Sequence, residues 1–133
     1  MMLPALVCMM YKKYVNELER RAGALFEREK VPFDYGVDYF VRNGRRTREV
    51  DFVLHYPVKA KACSRNSIQY IEIKRGMNAH AKEQHNDLFR AGIDTFIATV
   101  QTVEIWEEFG FLVERLEWVP TRIPVPALAL QQA

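Results

Sequence analysis

Two short stretches of the chain decide its fold: residues 48–54 have the sequence REVDFVL, and residues 70–74 have the sequence YIEIK. Apolar and polar side chains alternate in both stretches, which is typical of β-strands with one buried face. Alternation puts Glu72 and Lys74 on one face of the second strand. In the first strand it predicts an apolar face of Val50, Phe52 and Leu54, with Glu49, Asp51 and Val53 on the other face.

Helix and strand patterns continue on both sides of these stretches. Asn43-Gly44 is a strong hairpin signal, and Asn78 and Thr102 are residue types that commonly cap helices. The order is helix, three strands, helix, strand, helix, which predicts an α/β (α+β) fold with a mixed sheet of about four strands flanked by helices. The predicted helices are 11–30, 79–91 and 103–109, and the predicted strands are 37–41, about 49–56, 68–74 and 95–100, with a basic loop at 57–66.

Length and composition fit one intracellular domain. The chain has 133 residues, of which 49% are hydrophobic and 27% charged, so a single core suffices. We expect this core at about 12–110 and a C-terminal extension at 111–133. Cys8 and Cys63 form no CxxC pair, which favours a reduced, cytoplasmic compartment. No apolar run approaches the ~18–20 residues that span a bilayer, so no membrane association is expected.

The sequence lacks the motifs of several other kinds of site. GxGxxG, Walker-type GKS/T and GxSxG motifs are all absent, so a nucleotide cofactor or a serine hydrolase site is not expected. His80 and His85 are five residues apart on one predicted helix and therefore lie on different faces, which argues against a zinc site.

Positive charge is concentrated in the middle of the chain. Residues 42–75 hold nine basic and three acidic residues, a net charge of +6, whereas residues 104–133 have a net charge of −3. A basic segment of this kind suggests a nucleic acid partner, the alternative being a solvated hairpin that simply keeps the protein soluble. The residues we expect to contact DNA are Arg45, Arg46, Arg48, Lys59, Lys61, Arg65 and Arg75.

Asp51 and Glu72 carry the chemical prediction. Two carboxylates on neighbouring strands repel each other unless a cation lies between them, and oxygen ligands suit Mg²⁺ or Mn²⁺. Lys74 would add an ammonium group that can stabilise a phosphate oxygen or a hydroxide. The alternative is a polar strand face with a weak Glu–Lys pair.

Asp51 followed by Glu72-Ile73-Lys74 on the next strand resembles the PD-(D/E)XK nuclease superfamily, whose members share a core of this element order. The chain looks most like the VRR-NUC group, with Holliday-junction resolvases as the nearest relatives. Gly76, Gln84, the segment 89–93 and Thr102-Val103-Glu104 support the resemblance, which covers about residues 12–110. The chain departs from the motif at Val50, where the family usually has proline.

The resemblance implies a role for each motif residue. Asp51, Glu72 and the carbonyl of Ile73 would bind the metal, Lys74 would be the catalytic lysine, and Gln84 would orient Lys74 or a phosphate. The family also places a glutamate on the first helix, and the candidates here are Glu17, Glu19, Glu27 and Glu29. Glu19 flanks the apolar stripe of that helix and is our first choice, with Glu17 second.

The expected function is therefore a Mg²⁺- or Mn²⁺-dependent deoxyribonuclease, an endonuclease for which DNA junctions and flaps are candidate substrates. Cutting two strands needs two sites, which favours a homodimer. Residues Phe111, Leu112, Val113, Leu116, Trp118 and Val119 form a candidate dimer surface, or else they cover the core of their own chain. The alternative functions are a non-catalytic nucleic-acid-binding module of the same fold and a nuclease subunit of a larger complex.

Overall fold

The computed structural model describes residues 14–117 and 126–127, which form three helices and five strands. The expected order of elements is present, and one strand follows the last helix. No helix in this part of the chain is long and apolar enough to cross a membrane. The elements are α1 (Glu17–Arg28), β1 (Phe33–Val41), β2 (Arg46–Ala60), β3 (Ile68–Ile73), α2 (Ala79–Arg90), β4 (Thr95–Ala98), α3 (Val100–Phe109) and β5 (Leu112–Arg115).

The strands form one mixed sheet in the order β1-β2-β3-β4. The β1–β2 and β2–β3 pairs are antiparallel, and the β3–β4 pair is parallel. β5 pairs antiparallel with the end of β2, at Val58 to Ala60, beyond the point where β1 begins opposite Leu54. β2 is therefore the central strand, with neighbours along both of its edges.

Helices pack on the two faces of the sheet. Asn16 caps α1, whose Ala22 and Phe26 pack with Val103 and Trp106 of α3 and with one face of the sheet in the larger core cluster. On the other face, α2 contributes Leu88 to a second cluster with Tyr39, Val41, Val50 and Ile93. The fold thus has a layer of helices on each side of the sheet.

The hairpin and β2 differ in extent from the sequence prediction. Val41 pairs with Arg46, so the connection is a four-residue loop, in which Arg42, Asn43 and Gly44 all have positive φ. β1 starts at Phe33, four residues earlier than expected. β2 continues to Ala60, so the first four residues of the expected basic loop 57–66 belong to the strand.

Strict alternation predicted that Val50 shares a face with Phe52 and Leu54, but in the structure it lies on the other face. Phe52 and Leu54 pack in the larger cluster, whereas Val50 packs in the second one. The alternation is interrupted at Asp51, which lies opposite Gly36 of β1, where φ is +68°. This irregularity is in the part of β2 that carries the site.

The last helix begins three residues earlier than predicted. Thr99 is its N-cap, and Thr102, the expected cap, occupies the third helical position and completes a reciprocal capping box with Thr99. The preceding strand therefore ends at Ala98 rather than at Val100.

The residues after 110 continue the fold of their own chain. Phe111 is fully buried in the larger cluster, Leu112 packs against that cluster, and Val113 of β5 is half exposed. Phe111 therefore covers the core of its own chain, which was the alternative to a dimer surface, and Leu112 is partly buried against the same core. Trp118, Val119, the start of the predicted first helix at 11–13 and most of the 111–133 extension beyond 117 lie outside the described residues.

Candidate functional site

The candidate site lies where β2 and β3 separate. Phe52 pairs with Ile71, and the same register puts Asp51 opposite Glu72. Here the side chains take over hydrogen bonding from the backbone. The N–H of Ile73 donates to Asp51 Oδ2 at 2.8 Å, and the N–H of Asp51 donates to Glu72 Oε1 at 3.2 Å. Each strand is therefore tied to a carboxylate of its neighbour.

Glu72 has one oxygen without a hydrogen bond. Its side chain is 2% exposed, and Oε2 is buried with no hydrogen-bond donor. The nearest cation is the Nζ of Lys74, at 3.5 Å from Oε2, on a side chain that is 25% exposed. A buried carboxylate oxygen that accepts no hydrogen bond is costly, and a single ion pair at 3.5 Å compensates for it only in part.

Burial holds the pKa values of both carboxyl groups above their usual range. Burial is the main cause that raises the pKa of Asp51, and the charge of Glu19 adds to it. Burial also raises the pKa of Glu72, with the charge of Asp51 as the next cause, while Lys74 opposes the shift. One lysine does not compensate for two buried carboxylates when both are ionised, so a further positive charge would stabilise the ionised pair.

Among the glutamates considered on the first helix, the structure brings Glu19 to the site. Its side chain is buried, and it accepts hydrogen bonds from the Tyr35 hydroxyl at 2.6 Å and from the Asn16 amide at 2.6 Å. The other three lie elsewhere. Glu17 pairs with exposed Arg20, Glu27 is exposed, and Glu29 accepts the main-chain N–H groups of Phe111 and Leu112.

Gln84 contacts the site through the backbone of β2. Its Nε2 donates to the carbonyl of Glu49 at 2.8 Å, two residues before Asp51. This contact attaches α2 to the part of β2 that carries the site. This bond holds the strand in place, and the role that the resemblance implied for Gln84, orienting Lys74 or a phosphate, stays a prediction.

Two observations test whether these residues fit a divalent ion. In the described ranges, 14–117 and 126–127, no group of three or more acidic, histidine or cysteine side chains converges as a metal cluster. Two buried carboxylates, one of which has an oxygen that accepts no hydrogen bond, are nevertheless a donor set that suits Mg²⁺ or Mn²⁺. Asp51 and Glu72 would hold the ion, with the Ile73 carbonyl and water as further ligands.

Arg48 requires a correction. It was expected to contact DNA, but its side chain is 5% exposed and its Nε lies 3.1 Å from Asp87 Oδ2. The arginine was grouped with its exposed neighbours because the chain gives no local sign of a partner 39 residues away. Arg48 therefore fastens β2 to α2.

The other expected DNA contacts fall into two groups. Arg65 donates to the carbonyl of Thr95 at 2.9 Å and lies over the ring of Phe96, and Lys61 donates to the carbonyl of Phe109 at 2.7 Å. These two are engaged within the fold. The remaining four, Arg45, Arg46, Lys59 and Arg75, are exposed, and Lys61 is also exposed although its Nζ is bonded to Phe109.

Sequence reasoning missed Asn16, Tyr35 and Asp87. Asn16 had a local signal, because an N-cap residue three positions before a glutamate is the pattern of a capping box, and Asn16 Oδ1 does accept the N–H of Glu19. Tyr35 and Asp87 had none, since their contacts depend on how α1 and α2 pack on the sheet.

Comparisons with protein-family models, with curated proteins and with solved structures found no match for this chain. Its function is therefore inferred from the residues and geometry of the site itself. The most informative of these features is the buried pair Asp51 and Glu72 beside Lys74.

Proposed function

We propose that this protein hydrolyses phosphodiester bonds of DNA and requires Mg²⁺ or Mn²⁺. The observation that carries the proposal is Oε2 of Glu72, which is buried beside Asp51, accepts no hydrogen bond and lies 3.5 Å from the ammonium group of Lys74 as its one ion-pair contact within the described residues. Two buried acids and one lysine form a site that lacks positive charge and has an oxygen free to bind an ion.

The residues of the site would have different roles in such a reaction. Asp51 and Glu72 would hold the ion, and Lys74 would stabilise negative charge that develops on the phosphate. A divalent ion at this place would supply a Lewis acid next to the phosphate. Glu19, fixed by Tyr35 and Asn16, would add negative charge that favours binding of the ion.

The surroundings support a polyanionic substrate. Arg45 and Arg46 in the hairpin and Arg75 directly after Lys74 are exposed. The order of elements and the spacing of Asp51, Glu72 and Lys74 also resemble PD-(D/E)XK nucleases. A cytoplasmic, DNA-associated enzyme is the reading that unites these features.

The test is cleavage of labelled duplex, flap and four-way-junction DNA with Mg²⁺ and with EDTA. We expect cutting only with the ion, and a loss of at least about 100-fold in rate for Asp51→Asn, Glu72→Gln and Lys74→Gln. Glu104→Gln, which neutralises an exposed acid on α3, is the matched control and should cut as the wild type does. Wild-type rates in Asp51→Asn and Glu72→Gln would disprove the assignment of the site.

A second candidate is a non-catalytic nucleic-acid-binding module. It is favoured by the absence of a three-ligand metal cluster in the described residues. Calorimetric titration with Mn²⁺ separates the two functions, because the nuclease should bind the ion and lose that binding in Asp51→Asn. If the wild-type protein binds DNA but does not bind Mn²⁺ and does not cut, the result would support the binding module.

A homodimer belongs to the first proposal, since one chain would supply one site for two DNA strands. The exposed apolar side chains that α3 and β5 leave for such a contact are Ile105, Phe109 and Val113. Light scattering in solution measures the assembly state directly.

A further inference from the structure

A groove runs between the hairpin loop and α2. Its volume is about 900 Å³, and it is lined on one side by Arg42, Asn43 and Gly44 and on the other by Lys82, Asn86 and Arg90. A second concavity, formed by Arg42, Asn43, Arg45 and Arg46, adjoins it on the loop. The groove thus lies between two elements that also position the candidate site.

The acids of the groove are already neutralised. Glu83 and Asp87 line its α2 side, and Arg42 contacts both of them, with 3.0 Å between Arg42 Nε and Asp87 Oδ1. Arg48 supplies the second compensating charge from β2, at 3.1 Å from Asp87. This network fastens the loop to the helix, so the two walls of the groove are held at a set distance.

The remaining charge of the groove is positive. Lys82 and Arg90 on α2 line the groove, are exposed and form no ion pair within the described residues. Arg45 on the loop and Arg46 at the start of β2 are exposed cations that line the adjoining concavity. Asn43 and Asn86 contribute neutral hydrogen-bond donors, which also contact phosphates and sugars in nucleic acid complexes. An anion with regularly spaced charges complements this arrangement.

We infer that this groove binds the phosphate backbone of the DNA on one side of the bond that is cut. The inference rests on the proposed function and adds the direction in which the substrate lies. Two contacts connect the groove with the site. Gln84 of α2 bonds to the Glu49 carbonyl of β2, and β2 runs from Arg46, directly after the loop, to Asp51 in the site.

The length of β2 between loop and site predicts a substrate length. Arg46 and Asp51 are five residues apart, which is about 17 Å along a strand. A duplex rises about 3.4 Å per base pair, so for a duplex whose axis follows β2 the groove lies about five base pairs from the cleaved bond. DNA that ends closer to that bond would lose the contribution of the groove.

The test is the affinity for labelled duplexes in EDTA at several salt concentrations, measured by fluorescence anisotropy. We expect Lys82→Gln/Arg90→Gln to weaken binding at least about tenfold and to lower the salt slope by about two units, as for two lost phosphate contacts. Lys30→Gln/Arg115→Gln is the control, because it removes the same charge at the end of α1 and in β5, and should bind like the wild type.

Three results would overturn the inference. The first is wild-type affinity and salt slope in Lys82→Gln/Arg90→Gln, and the second is an equal loss in the control. The third is competition by polyglutamate as strong as that by DNA, which would assign the groove to an acidic protein partner.

Parallel cleavage assays separate this inference from the proposed function. If the wild type cuts DNA and Lys82→Gln/Arg90→Gln binds DNA as the wild type does, the inference about the groove is wrong and the proposed nuclease function stands. If the groove variant loses affinity but the wild type never cuts with Mg²⁺, the proposed nuclease function is wrong and the inference about the groove stands.

Discussion

Glu72 shows how a single residue makes the stability of this protein depend on pH. Burial raises the pKa of Glu72 and of Asp51, so the folded protein still holds protons that the unfolded chain has released at the same pH. The free energy of unfolding of the ion-free protein therefore falls as pH rises from the ordinary carboxyl values, 3.8 and 4.5, towards the raised ones.

We expect Glu72→Gln to flatten this dependence. In EDTA, the melting temperature of the wild type should decline from pH 5 to pH 8 more steeply than that of the variant, because the variant has lost the group that titrates. Calorimetry across this range measures the difference, with Glu104→Gln declining as the wild type does. A variant profile parallel to that of the wild type would show that Glu72 is not the titrating group.

How far single residues could be predicted depends on the range of their contacts. The proximity of Asp51 and Glu72 could be predicted from the alternation within each strand and from the order of the strands. The interruption of the alternation at Asp51 could not be predicted from the sequence. The preference for Glu19 came from the helical stripe, and the structure gives that residue a buried position. The pairing of Arg48 with Asp87 could not be predicted, because it depends on the docking of α2.

A buried ion pair, Arg48 with Asp87, holds the hairpin and α2 together. Arg48 and Asp87 are each 5% exposed on their side chains, so removing one leaves the other buried with fewer partners. We expect Arg48→Met to lower the free energy of unfolding by about 1–3 kcal/mol. Arg45→Met, an exposed change in the same hairpin, is the control.

Urea unfolding measures both variants. Equal stability of Arg48→Met and Arg45→Met would mean that the ion pair does not hold α2 on the sheet. A selective loss in Arg48→Met would instead separate the structural arginine of this hairpin from the arginines that remain available to a ligand.

Element boundaries were predictable where a residue's own chemistry marks them. Asn78 does cap α2, and the order of the first seven elements was correct. β2 was predicted too short because its last residues, Val58 to Ala60, gain their strand pairing from β5, more than 50 residues later in the chain. The four residues of β5 carry no strong pattern of their own, so this strand was missed.

The residues directly after 110 close one side of the core. Glu29 at the end of α1 accepts the N–H groups of Phe111 and Leu112 at 2.7 and 2.9 Å, and the Trp106 indole donates to the Lys61 carbonyl at 2.6 Å. α1, α3 and β2 therefore meet at this point. The fold extends beyond the core boundary that we expected at residue 110.

We expect Phe111→Ala to destabilise the protein by about 3–5 kcal/mol, because the ring is fully buried among Phe26 and Trp106. Val113→Ala, at a half-exposed position of β5, should cost less than about 1 kcal/mol. Denaturant unfolding compares the two. Similar small losses would mean that this end of the chain is dispensable for folding.

The position of Arg65 has a consequence for self-association. β4 is the last strand of the sheet in the described part of the chain, and an open strand edge can recruit the same edge of another copy. Arg65 donates to the carbonyls of Thr95 and Asp94 at the start of β4, with its guanidinium over the ring of Phe96. A bulky, charged group thus occupies two backbone acceptors at the start of this last strand. We expect Arg65→Ala to free these acceptors and to increase self-association of the protein, which light scattering measures.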